Sequence, residues 1–484
     1  MLHDMDELGR KLVRMLGPQR ALVTGAALVA YECDGFTAHR QPPRAVVLPE
    51  TTTEVQAVVR LLGQAGMPFL PRGAGTGLSG GATPHGSTVI IDTARMKQVL
   101  NIQPDDLLAV VQPGVVNLEL SKMVQHLGLH YAPDPSSQTV CTIGGNLAEN
   151  SGGPHCFKYG MTTDHILAAR VVLPDGEICD LGSAAGPRPL GQMDLVGLFT
   201  GSEGTFGIAT EITVRLSPNQ ESVRTLLASF QSMRAACATV SETVASGLLP
   251  AAMEILDSAT IAAVEASVYR AGYPTEAAAV LLIELDGAAA GMDDDAEQVK
   301  EICHRHDAIT VEEAATEADR ERLWRGRKGA FGAMGRLKPD LYVLDGVVPR
   351  TKLVESLEAI TAIGQKYQVT LTNVFHAGDG NLHPNISYDG RDQEETARVM
   401  KAGEEILQTC IDAGGSITGE HGIGSEKLPH VKMMFTDADL EVMERVRRVF
   451  NPRELCNPGK VLPQRSSCAE VAKWPQMVAR VLET

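Results

Sequence analysis

The chain has 484 residues, of which 44% are hydrophobic and 21% charged. This is an ordinary globular composition, long enough for two or three domains. The formal net charge of −17 argues against a nucleic-acid-binding protein or an anionic-membrane surface. If the ligand of such an acidic chain is itself an anion, positive charge must be gathered locally in one pocket.

The nine cysteines are scattered and form no C-x-x-C pair, so the sequence indicates no disulfide framework, iron–sulfur cluster or zinc finger. The N-terminal 17 residues are charged and amphipathic and lack a signal-peptide pattern. No run approaches the ~18 apolar residues that a membrane helix needs. We therefore expect a cytoplasmic protein without a direct membrane span. Peripheral attachment to the inner membrane through partners stays open.

The segment 44–217 reads as strands alternating with helices and glycine-rich loops. Short apolar runs predict strands at 45–48, 67–70, 89–92 and 107–112. Thr51 and Glu54 have the spacing of a capping box and open a predicted helix that Gly66 closes. A second helix is predicted over 116–127. This alternation indicates a mixed α and β domain.

The character of the sequence changes near Pro218. Alanine-rich helical stretches follow at 233–246 and 258–269, with an apolar strand at 279–285 between longer helices. Residues 436–449 are predicted to form a helix. These changes place a domain boundary near residue 219.

Three glycine clusters stand in the first half, within 71–81, 133–154 and 201–210. Residues 75–80 match G-x-G-x-x-G, but residues 82–87 cannot open the helix that a classical dinucleotide site requires. We therefore reject an NAD fold here. Successive backbone N–H groups in glycine loops form anion-binding nests, so three such loops indicate one extended ligand, such as a diphosphate, held by backbone contacts.

The motifs PRGAGT (71–76), TIGGN (142–146), SGG (151–153) and GTFGI (204–208) together resemble the FAD-binding domain of the vanillyl-alcohol-oxidase-type (PCMH) flavoproteins. The resemblance implies two α+β subdomains that clasp FAD. Members with covalent FAD carry His or Cys in the first loop, which has neither here, so FAD is expected to be non-covalent. The implied cofactor-binding residues are Pro71, Arg72, Gly73, Ala74, Gly75, Thr76, Ser79, Gly80, Pro133, Asp134, Ser136, Thr142, Gly144, Gly145, Asn146, Ser151, Gly152, Gly153, Tyr159, Glu203, Gly204, Gly207 and Ile208.

The second half contains the segment NVFHAGDGNLHP at 373–384. Strand patterns flank a turn of Ala-Gly-Asp-Gly-Asn, so a hairpin is predicted that brings His376 and His383 side by side. Two imidazoles and one carboxylate make a three-ligand, open transition-metal site. Glu420 in GEHGIG (419–424) is the candidate carboxylate, and the flanking glycines permit an irregular backbone that aims it and its neighbour at one pocket. A purely structural histidine pair is the alternative.

These motifs, with NPGKV at 457–461, resemble the C-terminal domain of the FAD-linked oxidases that act on D-lactate, D-2-hydroxyglutarate and glycolate. The resemblance implies a divalent metal (Zn, Mn or Fe) on His376, His383 and Glu420. It also implies that His421 is the catalytic base and that Asn457 lies near the flavin. The family's carboxylate-binding arginine follows a Leu-Trp pair, which makes Arg327 the first candidate and Arg325 the second. A solvated basic helix end is the alternative.

The segment LDGVVPR (344–350) resembles the FAD-binding subunits of glycolate oxidases more than the hydroxyglutarate enzymes. The latter carry a lysine near position 343 and a polar residue at 331, where this chain has Val343 and Phe331. A short substrate, glycolate or D-lactate, is therefore expected. The resemblance also implies partner subunits, of the iron–sulfur and second flavin type, that carry electrons onward.

The expected fold is α+β, with a PCMH-type FAD-binding domain over 1–219 (core 42–219). A substrate-binding cap with an antiparallel sheet and the metal site is expected over 220–429, and a helical C-terminal segment over 430–484 returns to the flavin. The expected function is FAD-dependent oxidation of a small 2-hydroxy acid. A stand-alone D-lactate dehydrogenase is the close alternative. A non-redox metallohydrolase or a silent scaffold subunit is more remote, since neither explains both sets of motifs.

Overall fold

The computed structural model describes residues 6–183 and 193–463 and divides into two compact units. The first comprises the described residues of 6–152, 160–219 and 420–463. The second comprises Gly153–Tyr159 and Gln220–Gly419. The sequence predicted domain boundaries at 219 and 429. In the structure, the chain passes from the first unit to the second after residue 219 and returns to the first after residue 419. The expected C-terminal segment therefore packs in the first unit as far as 463, and its residues 464–484 lie outside the described residues.

The first unit contains two α+β parts, each built on its own sheet, as expected. In the four-stranded sheet, Val89–Asp92 pairs in parallel with both Ala45–Val47 and Phe69–Arg72, and Ala21–Leu22 adds an antiparallel edge. The five-stranded sheet is antiparallel throughout. Its strands, in spatial order, are Val99–Gln103, Leu108–Val111, Ile208–Arg215, Ile166–Val172 and Ile178–Gly182. Leu129–His130 and Ser217–Pro218 form a further small pair.

Helices cover these sheets with their apolar faces. Val55, Val58, Val59 and Leu62 recur at helical spacing along Thr52–Gln64 and are all buried. The α-helices of this unit are Glu7–Leu16, Thr52–Gln64, Asn117–Val124, Ile143–Glu149, Thr162–His165, Leu195–Phe199 and Asp437–Phe450. Its 3-10 helices are Ala26–Tyr31, Gln125–Leu127 and Leu428–Met433. Residues 82–87 form no helix after the first glycine loop, in agreement with the rejected NAD fold.

The second unit is built on one antiparallel nine-stranded sheet, which confirms the expected sheet of the cap. Along its main path the strands are Ala308–Glu313, Ser222–Phe230, Ala279–Gly287, Ala252–Asp257, Thr370–His376, Asn381–Leu382 and Gly346–Val347. Pro384–Tyr388 pairs with Thr370–His376 and with Asp340–Val343. The central strands read as nearly continuous apolar runs because both of their faces are buried.

Alanine-rich helices fit closely against this sheet. Ala236, Cys237 and Val240 of one helix and Ile261 and Val264 of another are fully buried, which removes apolar surface from water. The α-helices of the unit are Cys156–Tyr159, Met233–Ala245, Ser258–Glu265, Met292–Arg305, Glu317–Lys328, Ala330–Met334, Leu353–Tyr367 and Gln393–Asp412, with a 3-10 helix at Arg350–Lys352. Among the described residues, no helix is both long enough and apolar enough to cross a bilayer.

One predicted local motif differs from the structure. Thr51 caps its helix as expected, accepting a hydrogen bond from the Glu54 backbone N–H at 3.2 Å. The Glu54 carboxylate does not complete the capping box, because it accepts from the Glu50 N–H at 2.7 Å and pairs with Arg20 at 2.7 Å. A neighbouring cation thus draws the side chain away from the N-cap.

A buried carboxylate, Glu284, joins several elements of the second unit. Arg320 donates to it through Nε at 2.9 Å and Nη2 at 2.8 Å. Trp324 Nε1 lies 2.5 Å away, Thr225 Oγ1 2.9 Å and His155 Nε2 3.0 Å. Burial raises the pKa of the Glu284 carboxyl, but the hydrogen bonds and charges of His155 and Arg320 outweigh it and hold the pKa well below its ordinary value.

Glu284→Gln is expected to lower the free energy of unfolding by roughly 2–4 kcal/mol near neutral pH, since it breaks a buried ion pair. A lowered folded-state pKa means that ionised Glu284 stabilises the fold fully above its ordinary pKa of about 4.5. This contribution is lost progressively as the pH falls from there through the lowered pKa of the folded state. Urea unfolding of wild type and variant should show a smaller difference at about pH 3 than at about pH 7. A difference that stays constant with pH would contradict this.

Candidate functional site

The hairpin places the two histidines side by side, as the sequence predicts. His376 ends the strand Thr370–His376 and pairs with Asn381 across the turn. His383 lies at the break between Asn381–Leu382 and Pro384–Tyr388. The two rings are buried, with centroids 5.0 Å apart and planes at 83°. Two imidazoles in this arrangement are a donor pair that suits a divalent transition metal.

Glu254 holds His376 from the neighbouring strand. The register of the sheet sets Glu254 directly opposite His376, and Oε1 of the glutamate lies 2.7 Å from His376 Nδ1. Burial raises the pKa of the Glu254 carboxyl, but the charges of Arg327 and His376 outweigh it, so that the pKa lies below its ordinary value. An ionised carboxylate only accepts, so Nδ1 carries the proton and donates. Nε2 is then the nitrogen with a lone pair.

The same carboxylate holds the candidate arginine. Arg327 lies in the last turn of Glu317–Lys328 and is fully buried. Its Nε donates to Glu254 Oε2 at 2.6 Å, and its Nη2 lies 2.5 Å from the same oxygen. Nη1 has no hydrogen-bond partner among the described residues. Buried N–H groups are rarely left unsatisfied, so the open end of this guanidinium indicates an anionic ligand.

The second candidate arginine does not reach this position. Arg325 is exposed, and its Nη2 donates weakly to the Arg270 carbonyl at 3.4 Å. The two arginines differ because residues two apart on a helix point to different sides. Of the pair, the structure buries only Arg327 beside the histidines.

Asp345 fixes the backbone that leads to Glu420. Its Oδ1 lies 3.5 Å from His383 Nε2. Its Oδ2 accepts from Thr418 Oγ1 at 2.6 Å and from the Gly419 N–H at 2.9 Å. Gly419 ends the second unit in this segment, and Glu420 is the next residue of the chain.

Glu420 and His421 belong to the first unit, in an irregular segment. The Glu420 carboxylate lies against Gly152, where an added Cβ would come within 2.5 Å of Oε2. His421 Nε2 is 3.9 Å from Glu420 Oε1. Gly422 follows with a positive φ of 78°, which glycine adopts at little cost. The flanking glycines therefore provide the irregular backbone that the sequence predicts.

Glu203 clamps this segment to the third glycine loop. Its two carboxylate oxygens accept from the N–H groups of Ile423 and Gly424, each at 2.7 Å. Asn457 Nδ2 donates to the backbone carbonyl of Glu203 at 2.7 Å and to that of Gly81 at 3.0 Å. Buried hydrogen bonds thus join three parts of the chain: the third glycine loop, the segment that follows His421, and Asn457.

The first glycine loop is tied to the same cluster. The N–H groups of Ser425 and Glu426 both donate to the Ser79 carbonyl at 3.0 Å. The Arg72 guanidinium binds backbone groups of the protein: Nη1 donates to the carbonyl of Ala82 at 2.9 Å, and Nη2 donates to that of Cys33 at 3.0 Å. Its guanidinium therefore shapes the loop.

Several buried polar atoms near these loops have no hydrogen-bond partner among the described residues. They are Ser79 Oγ, both amide atoms of Asn146, Ser202 Oγ and Glu149 Oε2. Unsatisfied groups of this kind mark a place where a polar ligand binds. Thr142 accepts from the Gly145 N–H at 3.2 Å and starts the helix Ile143–Glu149. These residues fit a bound dinucleotide.

The remaining predicted cofactor residues divide between the units. The first unit contains Pro71, Gly73, Ala74, Gly75, Thr76, Gly80, Pro133, Asp134, Ser136, Gly144, Ser151, Gly152, Gly204, Gly207 and Ile208. Gly153 and Tyr159 belong to the second unit. The Tyr159 hydroxyl donates to Asp286 Oδ2 at 2.5 Å, so that group is engaged within its own unit.

The sequence analysis missed Glu254, Asp345 and Glu149. For Glu254 a signal was present, because a glutamate interrupts the otherwise apolar run 251–256. A charge inside a buried strand is rare unless it is paired. Nothing local marked its partners, which are 73 and 122 residues away.

Comparison with known proteins identifies the family. Residues 219–461 match the model of the FAD linked oxidases, C-terminal domain, and residues 43–182 match an FAD binding domain. The chain belongs to the FAD-linked oxidases. It binds FAD and is an oxidoreductase.

Similar curated proteins cover nearly the whole chain. Glycolate oxidase subunit GlcD of Escherichia coli is 45% identical over 93% of this chain and 89% of its own length. GlcD of Bacillus subtilis is 39% identical, covering 94% and 96%. D-lactate dehydrogenase of Anaerostipes hadrus is 33% identical, covering 92% and 95%.

Solved structures support the fold. p-Cresol methylhydroxylase with substrate bound has a TM-score of 0.79 at 18% identity and covers 95% of this chain and 98% of its own. 4-Ethylphenol oxidase from Gulosibacter chungangensis has a TM-score of 0.77 at 20% identity, covering 96% and 99%. The expected PCMH-type fold is confirmed.

Glu203→Gln is expected to lower the free energy of unfolding of the holoprotein by roughly 1–3 kcal/mol, since the amide leaves one buried N–H unpaired. Glu177→Gln, at an exposed glutamate of the same unit, is the control, and its effect should stay within about 0.5 kcal/mol. Equal losses in urea unfolding would contradict the clamp.

Proposed function

We propose that this protein oxidises a small 2-hydroxy acid, glycolate or D-lactate, to the 2-oxo acid with FAD as the electron acceptor. The observation that carries the proposal is the buried Arg327, whose Nε binds Glu254, the carboxylate that also contacts His376, and whose Nη1 has no hydrogen-bond partner among the described residues. The relatives support it, because their names are those of glycolate oxidase subunits and D-lactate dehydrogenases.

Arg327 binds the substrate carboxylate. Its Nε donates to Glu254, and Nη2 lies 2.5 Å from the same carboxylate oxygen. Nη1 and Nη2 have no hydrogen-bond partner among the described residues, so the end of the guanidinium that they form is open to a ligand. Two parallel N–H groups match the two oxygens of a carboxylate. Burial excludes competing water and strengthens the interaction. This end of the substrate is thereby oriented for reaction.

His376, His383 and Glu420 would hold a divalent metal (Zn, Mn or Fe). The two rings offer imidazole nitrogens at short range, and Glu254 fixes the ring of His376. Asp345 lies near His383 and accepts a hydrogen bond from the Gly419 N–H. Glu420 is the next residue of the chain. When bound, the metal acts as a Lewis acid that makes the 2-hydroxyl of the substrate more acidic.

His421 takes the hydroxyl proton as general base. FAD, when bound, would supply the two-electron acceptor for the hydride at C2 of the substrate. The chain contributes alignment of the reacting groups. FAD is held non-covalently by the glycine loops, with Asn457 and Glu203 arranging the loops around it.

A short substrate fits the surroundings of the histidines. The Phe331 ring lies 6.1 Å from the His383 ring, and Val343 is a buried apolar residue of the neighbouring strand. Apolar side chains at these two positions offer no hydrogen bond to a second carboxylate. Dicarboxylic hydroxy acids are therefore poor substrates.

The protein acts as the FAD subunit of an oxidase complex. Two of the similar proteins are named as subunits. The eight cysteines in the described part of the chain are free thiols, so onward electron transfer is assigned to partner subunits of the iron–sulfur and second flavin type. A stand-alone D-lactate dehydrogenase remains the rival, and turnover of the purified chain with a physiological acceptor would favour it.

A substrate panel tests the proposal directly. Under anaerobic conditions, glycolate and D-lactate should bleach the visible absorbance of the bound flavin within a single turnover. D-2-Hydroxyglutarate should do so at least tenfold more slowly, because its distal carboxylate lacks a partner. L-lactate serves as the stereochemical control. If none of the four acids reduces the flavin, the proposed function is wrong.

His421→Ala is expected to retain FAD and metal but to slow flavin reduction by roughly 10²–10⁴-fold, the usual contribution of a general base. Stopped-flow reduction at saturating substrate measures the effect. Flavin and metal contents of the purified variant provide the control for folding. A rate equal to that of the wild type would remove His421 from the mechanism.

A further inference from the structure

We infer that Glu254 is a positioning residue that holds the metal-binding histidine and the carboxylate-binding arginine in one arrangement. This inference rests on the proposed function, since it assigns the device that orients two of its groups. Neither the family motifs nor the sequence pattern of the site includes Glu254, which lies on a strand about 70 residues or more from both partners.

The two oxygens of Glu254 serve different partners. Oε1 lies 2.7 Å from His376 Nδ1. Oε2 accepts from Arg327 Nε at 2.6 Å, with Nη2 2.5 Å away. Because one carboxyl group is rigid and planar, the direction of the ring and the direction of the guanidinium are set together.

Strand pairing on both sides fixes the position of Glu254 in the sheet. Its strand pairs with Thr370–His376 in the register Glu254↔His376 and Ile255↔Phe375, and with Ala279–Gly287 on the other edge. Glu254, Arg327 and His376 are all buried. A buried carboxylate without paired cations is strongly disfavoured, so the three side chains stay together.

On the histidine side, Glu254 selects the tautomer. With Nδ1 donating to the carboxylate, Nε2 presents its lone pair to a metal ion, and the ring cannot rotate without breaking the bond. Partners of this kind typically contribute 10–100-fold to metal affinity. On the arginine side, the contact at Nε and Nη2 leaves Nη1 open to the substrate.

Glu284 shows what a purely structural counterpart looks like. It also bridges an arginine and a histidine within the sheet. Every nitrogen of its arginine is engaged, since Nε and Nη2 of Arg320 bond to Glu284 and Nη1 bonds to Glu317 at 2.8 Å. Arg327 differs because its Nη1 is buried and unsatisfied among the described residues. The Glu254 cluster is thus built for a ligand.

The test uses two variants of the FAD-loaded, metal-free protein, titrated with Zn²⁺ against a chelator. In Glu254→Gln, the single carboxamide oxygen should stay with the charged arginine, and the amide N–H should force the wrong His376 tautomer. Zn²⁺ affinity should fall roughly 10–100-fold, while KM for the hydroxy acid at saturating Zn²⁺ stays within about threefold. In Glu254→Met, both interactions are lost, so KM should also rise at least tenfold or so.

Glu284→Gln is the matched control, because it removes an equivalent buried charge and should leave Zn²⁺ affinity and KM unchanged. If Glu254→Gln binds Zn²⁺ with wild-type affinity, Glu254 does not position His376. If Glu254→Met has the wild-type KM, Glu254 does not position Arg327. If Glu254→Met does not fold, Glu254→Asp takes its place in the test. The aspartate side chain is one methylene shorter, so its carboxylate lies farther from Arg327 and KM should rise as well. A wild-type protein that binds no Zn²⁺, Mn²⁺ or Fe²⁺ would also overturn the inference.

The two failures can be told apart. If the wild type reduces its flavin with glycolate or D-lactate but Glu254→Gln binds Zn²⁺ normally, the inference is wrong and the proposed function stands. If no hydroxy acid reduces the wild-type flavin but Zn²⁺ binding depends on Glu254, the proposed function is wrong and the histidine role stands.

Discussion

The chemistry of the second unit depends on one buried ionic contact, between Glu254 and its two partners, Arg327 and His376. Removing a carboxylate from water is costly, and the cost is offset only when cations and hydrogen bonds surround it. The pairing of Ala252–Asp257 with Thr370–His376 brings Glu254 and His376 face to face. The helix Glu317–Lys328 brings in the arginine. A single sheet register therefore sets the geometry of the candidate metal ligand and the candidate anion site.

In the first unit, hydrogen bonds to backbone groups fix the glycine loops. Glu203 accepts from the backbone of the segment after His421, and Asn457 donates to the backbone of the third loop. Such contacts suit an extended ligand with a diphosphate, which many weak, directional donors can bind. The FAD binding domain match over residues 43–182 agrees with this arrangement.

The proposed carboxylate site is not strongly positive in net charge. Arg327 is the buried cation beside the histidines, yet Glu254 neutralises it. Carboxylate recognition in the proposed site therefore depends on the direction of N–H groups in a dry environment, where hydrogen bonds are stronger than in water. The composition predicted that positive charge gathers in one pocket for an anionic ligand. At Arg327, the candidate for this role, the positive charge is paired with the Glu254 carboxylate.

Local patterns in the chain were sufficient for the glycine loops, the main helices and strands, and the hairpin with His376 and His383. Each of these depends on residues that are neighbours in the chain, such as turn formers, caps and periodic apolar positions. The tertiary structure was needed to find Glu254 and Asp345, to show that Arg327 is buried while Arg325 is exposed, and to show that Glu54 pairs with Arg20. Strand pairing and helix packing bring these groups together across long stretches of chain, and no local pattern encodes which distant side chain compensates a buried charge.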